Sequence, residues 1–439
     1  MDILVIGNGF DLAHGLPTKY TDFLEYTKEF LAYHNGVLHD SPRGKQFSDA
    51  LSEHKRYSEF CEIENNQWLK YFLNRYDEGT QKGDTWIDFE KEISEIVIAL
   101  DNANPIVEYA HYLNAPSEIT LDFENDSVSD KLRQFISLLC EYDKTTQKHI
   151  ISNNNIVDAK TLVGFLYLQL RYFARAFETY CLHINETIAP EMVISSKRKE
   201  QIKKAKFQMD SHNSQARHAS GYGYSKNDVP KYEKMRNEAS KLFSSLISGI
   251  TAIDYLSMSK FDCVLSFNYT NTYERLYGNE NTKYCYIHGK AQYDSAKTNI
   301  VFGIDDNLQR GEESRDFKLV RFKKYYQRII FMNGSEYKTW LGISEKERNR
   351  QNYVHIVGHS LDRTDYDVLY EIFSNNKFKI LVYFYNLDDY EDKVQKTIQL
   401  LAYKGGNGRD ELIRRVYSEQ WTIKFVNQYD KDQLYSVKP

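Results

Sequence analysis

No stretch of this chain is apolar for the length of a membrane span, and no charged-then-apolar segment leads to a cleavage site. The first strand is expected to begin at Ile3, which leaves no room for a leader. Cysteine is scarce. Cys61, Cys140, Cys181, Cys263 and Cys285 stand singly, without C-x-x-C spacing, and are expected to be reduced core residues of a cytoplasmic protein. A metal-ligand set is also missing, since His212 and His218 lack both ligand spacing and companion residues. Positive charge is not in excess: 57 Lys and Arg stand against 62 Asp and Glu, a net charge of -5. That balance argues against a general nucleic-acid binder. No internal repeat is visible.

What is present reads as soluble and globular. Hydrophobic residues make up 41% and charged residues 27% of 439 positions, a length that predicts a core domain with a substantial insertion. Aromatics reach 14%, mostly Tyr and Phe, and since Tyr serves core and surface alike this does not point to a ligand.

The chain is organised around its opening stretch, DILVIGNGFDLAHGL. Ile3 to Ile6 are four consecutive apolar residues, three of them β-branched, the pattern of a strand buried on both faces. Gly7, Asn8 and Gly9 follow at once, then a segment that reads as a helix. A glycine turn between a buried strand and a helix leaves backbone N–H groups at the positive end of the helix dipole, where a pyrophosphate can approach. The next glycine is Gly15, so full G-x-G-x-x-G spacing is lacking, and an ordinary strand-to-helix turn reads the same way.

From Tyr20 onward the pattern is helical for over two hundred residues. Helices are expected around 20–31, 60–76, 86–100, 132–142, 162–188 and 232–255, the fifth apolar on most sides and so the spine of an insertion. Trp86 to Glu90 opens the third. Its acids suit the helix dipole, and Glu90 is also a candidate site residue. The basic run 195–206 reads as a solvated face, and 209–228 as a loop. Past 260 the composition changes. Short apolar runs at 263–267, 284–287, 300–302, 353–357, 380–385 and 423–426 read as strands, with helices at 365–374, 391–403 and 411–418. Alternation of this kind predicts an α/β fold: a mostly parallel, doubly wound, Rossmann-like sheet, with residues 1–30 and 256–439 as the core and 31–255 as a large α-helical insertion. Ligands bind beyond the carboxyl ends of such strands. Here polar residues or glycine sit at four of those ends: Asn268, His288-Gly289, Gly303 and Gly358-His359-Ser360.

The segment IGNGFDLAHGLPTKYTDF resembles the opening of the bacterial abortive-infection AbiH family, with Gly7, Asn8, Gly9, Phe10, Asp11, Leu16, Pro17 and Thr18 matching its strand, GNGFD turn and Leu-Pro-Thr segment. More remotely, the core resembles the sirtuin-like nucleotide fold. SFNYT is similar to the segment whose Asn contacts the ribose next to nicotinamide, IHG to the His-Gly carrying the catalytic histidine, and VGHSL to the strand end that grips the adenosine side. The resemblance implies an NAD site with His288 and Asn268 as catalytic residues. Gly7, Asn8, Gly9, Phe10, Asp11, Gly358 and Ser360 would bind the cofactor, and no metal would be required. His359 and Asp362 read equally as site residues or loop caps.

The implied function is an anti-phage effector that binds NAD and hydrolyses it to nicotinamide and ADP-ribose. Bond cleavage passes through a cationic, oxocarbenium-like state. A neutral imidazole can take a proton there, and an Asn amide can hold a ribose hydroxyl or a water. Deacylation is not implied, because no zinc-ligand set exists. Two other classes are consistent with the residues. One is a sensor of NAD or an ADP-ribose-like nucleotide that switches an assembly. The other is a nuclease or nucleic-acid binder, hinted at by 195–206 and by RFKKYYQR at 321–328. A phage-derived trigger and a homo-oligomer are the expected partners, with no membrane.

Overall fold

The computed structural model describes residues 1–37, 60–81, 87–103, 130–139, 159–187, 259–292, 298–304, 319–342 and 351–428. It also describes four short strands between 106 and 151 and isolated positions within 38–59 and 204–256. Trp86, Cys140, Asp305, nearly all of the basic run 195–206 and of the loop 209–228, and most of 232–255 lie outside the described residues.

Six strands form one parallel sheet: β1 (Asp2–Ile6), β6 (Cys263–Ser266), β7 (Lys283–Tyr286), β8 (Asn352–Val357), β9 (Phe378–Phe384) and β10 (Ile423–Asn427). β1 is central, with Leu4 paired to Val264 of β6 on one side and to His355 of β8 on the other. The sheet order is β7-β6-β1-β8-β9-β10. Numbered along the chain, this is the 3-2-1-4-5-6 order of a dinucleotide-type doubly wound sheet, whose switch point falls between β1 and β8. The continuous apolar run of β1 has a direct cause. Ile3 and Val5 pack on one face with Leu265, Ile356 and Ile380, while Leu4 and Ile6 pack on the other with Val264, Val357 and Leu381. Alternate side chains leave a strand on opposite faces, so burial of both faces demands apolar residues at every position.

Helices α1 (Asn8–Ala13) and α7 (Thr272–Tyr277) cover one side, and α9 (Tyr337–Leu341), α10 (Tyr366–Phe373), α11 (Leu387–Ala402) and α12 (Gly408–Tyr417) the other. α11 and α12 are capped by Asn386 and Asn407, whose side chains accept from the amides of Asp389 and Asp410.

Between β1 and β6 stand α2 (Tyr20–His34), α3 (Gln67–Gln81), α4 (Phe89–Ala103), α5 (Asp130–Leu139) and the long α6 (Ala159–Thr187). Their shared core is aromatic. Phe89 stacks on Phe72 at 4.3 Å and on Tyr20 at 4.4 Å, and Phe23 meets Phe177 edge-on at 5.2 Å. Each such buried ring contributes its apolar area plus about 0.5–1.5 kcal/mol per favourable ring pair.

The helical reading of the inserted segment needs one addition. β2 (Ile106–Glu108), β3 (Ser117–Thr120), β4 (Glu141–Asp143) and β5 (Lys148–Ile151) form a small antiparallel sheet in the order β2-β3-β5-β4. Strands of three or four residues are too short for a period-2 signal to stand out. A second correction concerns Ile300 to Phe302, expected as a strand. This run joins no strand of the sheet. The amide of Val301 donates to the carbonyl of His288 at 2.8 Å, and Phe302 packs in the aromatic core beside Phe177 and Tyr269. A short apolar run reads alike as strand or buried loop, and only its hydrogen-bond partners decide. No helix among the described residues is long and apolar enough to cross a membrane.

Candidate functional site

The carboxyl ends of β1, β6, β7 and β8 converge on a cavity of about 300 Å³. Gly7, Asn8 and Asp11 enter it from the β1–α1 turn, Phe267 to Thr270 from β6, His288 from β7, and His359, Ser360, Asp362 and Asp365 from β8. The inserted segment supplies the opposite wall: Lys19, Tyr20 and Thr21 at the head of α2, Ile87, Asp88 and Glu90 at the head of α4, and Phe177 and Cys181 of α6. The volume lies at the small end of the roughly 300–1,000 Å³ common for ligand pockets.

Of the residues expected at the site, Gly7, Asn8, Asp11, Asn268, His288 and Ser360 line this cavity, as do Glu90, His359 and Asp362. Gly9, Phe10 and Gly358 do not line it. The amide of Gly9 donates to the carbonyl of Gly358 at 2.9 Å, that of Gly7 to Val357 at 3.2 Å, and that of Phe10 to Gly7 at 2.9 Å. These three N–H groups are therefore not left open in the turn, as the strand-turn-helix pattern led one to expect. The glycines instead allow two backbones to touch. A Cβ on Gly358, which has φ +63°, would stand 2.5 Å from the nitrogen of Phe10. Phe10 is buried against His14 and Tyr273.

The electrostatic centre is a buried cluster. Nε2 of His288 lies 2.9 Å from Oδ1 of Asp365, and Nζ of Lys324 lies 2.9 Å from the same oxygen. Lys324 also donates to Oε2 of Glu90 at 2.7 Å. Lys324 begins α8 (Lys324–Phe331), Asp365 ends a 3-10 turn after β8, and Glu90 comes from α4, so the cluster ties the inserted segment to the sheet. Lys324 is only 1% exposed. His359 joins from the side, its Nε2 3.6 Å from Oδ2 of Asp365. Its Nδ1 accepts from the amide of Leu361 at 2.9 Å, which puts the ring proton on Nε2, toward Asp365. Leu361 adopts φ +56°, a left-handed conformation that costs a branched residue energy. Burial of its side chain and that amide bond hold it there.

Burial alone would raise the pKa of Asp365, but Lys324 and His288 outweigh it and hold the carboxyl well below its ordinary range. Burial also lowers His288, with the Lys324 cation adding to the effect against Asp365, to about 4. The imidazole is therefore neutral near pH 7. With Nε2 donating to Asp365, Nδ1 carries the lone pair. Burial pushes Glu90 upward against the pull of Lys324. Across the cavity, burial raises Asp11 to about 6, opposed by a hydrogen bond from Thr270 Oγ1.

Three buried polar groups lining the cavity are incompletely satisfied. Among the described residues, the Asn268 side chain interacts with the Asp11 carboxyl but makes no close hydrogen bond, and Oδ1 of Asp11 and Oε1 of Glu90 accept no close bond either. An unpaired buried polar group costs about 1–3 kcal/mol, so three beside one cavity mark a place built for a polar ligand or water.

The polar choices of the opening motif have local explanations. Thr18 Oγ1 donates to Oδ1 of Asn8 at 2.5 Å, Asn8 Nδ2 returns a bond to the Thr18 carbonyl at 3.2 Å, and Tyr180 donates to the Pro17 carbonyl at 2.8 Å. A family profile described as bacteriophage abortive infection AbiH matches residues 3–386. This chain belongs to the AbiH family. AbiH membership places it among proteins of anti-phage abortive infection. No curated protein and no solved structure matches the chain.

Within this AbiH fold, Asp365 and Lys324 are the site-cluster residues that sequence reading missed. Asp365 lies just beyond the VGHSL tail, and Lys324 was hidden in RFKKYYQR, read as a basic patch. That stretch is no open basic groove: Lys323, Lys324 and Arg328 are buried, and Arg328 pairs with Asp367. Among the described residues, no group of three or more His, Cys, Asp or Glu side chains is placed to hold a metal ion.

Proposed function

We propose that this AbiH protein acts in phage defence by binding NAD at the β1–β8 switch point and hydrolysing it to nicotinamide and ADP-ribose. The observation that carries the reading is the pairing of neutral His288 with ionised Asp365 beside a cavity that the buried Asn268 side chain also lines, making no close hydrogen bond there. The fold's strand order supports a nucleotide at this position, though strand order by itself does not define a reaction.

The chemistry balances with these groups. Breaking the bond between C1′ of the ribose and the pyridinium nitrogen returns the electron pair to the ring, giving neutral nicotinamide. Water adds to C1′, and its proton passes to the free ring nitrogen of His288, then to solvent. Asp365 steadies the imidazolium formed, as carboxylates do beside catalytic histidines. Asn268 holds a ribose hydroxyl or the water, and Gly7, Asn8 and Ser360 line the approach.

A second reading is a non-catalytic sensor. It is favoured by the composition of the cavity wall, because α2, α4 and α6 of the inserted segment all border the ligand space. Occupancy could then reposition that segment. The deciding experiment incubates the full chain with NAD, with and without lysate of phage-infected cells, and follows nicotinamide and ADP-ribose by chromatography. Release of both in equal amounts is the expected result. Saturable NAD binding without turnover in either condition would overturn hydrolysis and leave the sensor.

A further inference from the structure

The charge around the cavity is one-sided. Five carboxyl side chains line it, Asp11, Asp88, Glu90, Asp362 and Asp365, and among the described residues Lys19 is the one basic side chain that does. Some of this charge is compensated from behind: Lys324 pairs with Glu90 and Asp365, and Lys396 with Asp362. Among the described residues, Asp11 has no cationic partner of this kind. Its Oδ2 accepts from Thr270 Oγ1, Thr272 and Asn268 also interact with the carboxyl, and its buried Oδ1 accepts no close hydrogen bond among the described residues. Asn268, buried beside it, interacts through its side chain with the Asp11 carboxyl, and among the described residues neither its amide nitrogen nor its side-chain oxygen makes a close hydrogen bond.

The β1–α1 turn offers a pyrophosphate few open amides. The amides of Gly7, Gly9 and Phe10 already donate to backbone carbonyls, and α1 spans only six residues. Lys324 and Lys396 offset Glu90, Asp365 and Asp362, so a pyrophosphate would face Asp11 and Asp88 with Lys19 as the one lining cation among the described residues, and its two charges would go unmatched. A cation carrying hydroxyl groups meets the opposite situation. Carboxylates attract it, Asp11 Oδ1 can accept from a hydroxyl, and Asn268 can both donate and accept.

We infer that the cavity recognises the ribosylated, positively charged base of its ligand and leaves any phosphates outside, so that a phosphate-free nucleoside with a cationic base is itself a ligand. This rests on the NAD reading and narrows it: the pyridinium ribosyl half enters, with Asp11 as a specificity-determining residue that holds a hydroxyl and faces the cation. The same hydrolysis then applies to nicotinamide riboside. The C1′–N bond breaks, its electron pair goes to the ring nitrogen, water supplies the new C1′–O bond, and the products are nicotinamide, ribose and a proton.

The test measures binding to the full chain by calorimetry for nicotinamide riboside, its reduced and uncharged dihydro form, NAD, ADP-ribose and inorganic pyrophosphate. Nicotinamide riboside should bind within about tenfold of NAD, the uncharged form about tenfold or more weaker than nicotinamide riboside, and pyrophosphate not at all. Asp11→Asn should weaken nicotinamide riboside about tenfold or more. The charged-versus-reduced comparison needs no variant, so it stands even if Asp11→Asn misfolds. NAD binding without nicotinamide riboside binding would overturn this inference and leave the NAD reading intact. Equal affinity for charged and reduced forms, or tighter binding of pyrophosphate, would overturn it too. Binding of nicotinamide riboside with none of NAD would overturn the NAD reading alone. No binding of either would remove both.

Discussion

His288 and Asp365, 77 positions apart, meet at 2.9 Å in the interior, and Lys324 contacts the same carboxylate oxygen. The arrangement keeps a histidine neutral beside an ionised acid. Burial and the lysine cation push the imidazole down to about 4, and the carboxylate only partly restores it. His288 should therefore remain neutral on titration from pH 8 to about 5 when followed by imidazole NMR signals. Lys324→Met should raise its pKa by about one unit or more, because the cation is gone and Asp365 remains. The same change breaks a buried ion pair and should cost about 3–5 kcal/mol of stability. An unchanged His288 titration in a folded variant would show that Lys324 does not set its protonation.

For turnover, the two residues have separable roles. His288→Ala should lower NAD hydrolysis about a hundredfold or more by removing the proton acceptor. Asn268→Ala should lower it comparably; the change removes two buried atoms that make no close hydrogen bond and also the Asn268 interaction with Asp11, so its melting temperature should change little. Undiminished turnover in both variants would assign the chemistry to other residues.

Asp11 gives a pH-dependent stability signature. Its pKa is about 6 in the folded chain, raised by burial from an ordinary 3.8. The folded state thus holds this proton more tightly, and the wild type loses stability as pH rises from about 4 to about 6. Asp11→Asn removes that loss. Relative to wild type it should gain about 1–3 kcal/mol between pH 4 and pH 7.5, measured by urea unfolding at both. An equal effect at the two pH values would rule out a raised pKa.

The glycine contacts belong to the fold. Gly358→Ala must adopt φ +63° and drive a methyl to 2.5 Å from the Phe10 nitrogen. It should destabilise by about 2–4 kcal/mol in the absence of any ligand. Gly9→Val likewise meets the Gly358 backbone at 2.9 Å, so its first effect should be on folding and not on ligand affinity alone. Wild-type unfolding midpoints for both variants would contradict the close backbone contact.

Much of the architecture was written in local patterns. Ile3 to Ile6 had to be a central parallel strand because no position in the run tolerates water. The strand tails at Asn268, His288 and Ser360 could be read as one surface, because parallel strands deliver all their carboxyl ends to the same edge. The AbiH opening was legible too, through residues whose spacing serves a single turn. Other features depended on contacts between distant segments. Nothing near Lys324 distinguishes it from a surface lysine, and only packing of α8 against α4 and the β8 turn encloses it between Glu90 and Asp365. The glycines showed where a backbone needed room, but whether a phosphate or another backbone fills it is decided by what folds against the turn, and here Gly358 does. Ile300 to Phe302 had the composition of a strand and became a buried loop, because its neighbours were His288 and an aromatic core instead of a sheet edge. Periodicity and composition record how a segment meets water, so they fix strands, helices and apolar faces. Which charges face one another, and which amides are already used, is set only when segments far apart in sequence close on one another.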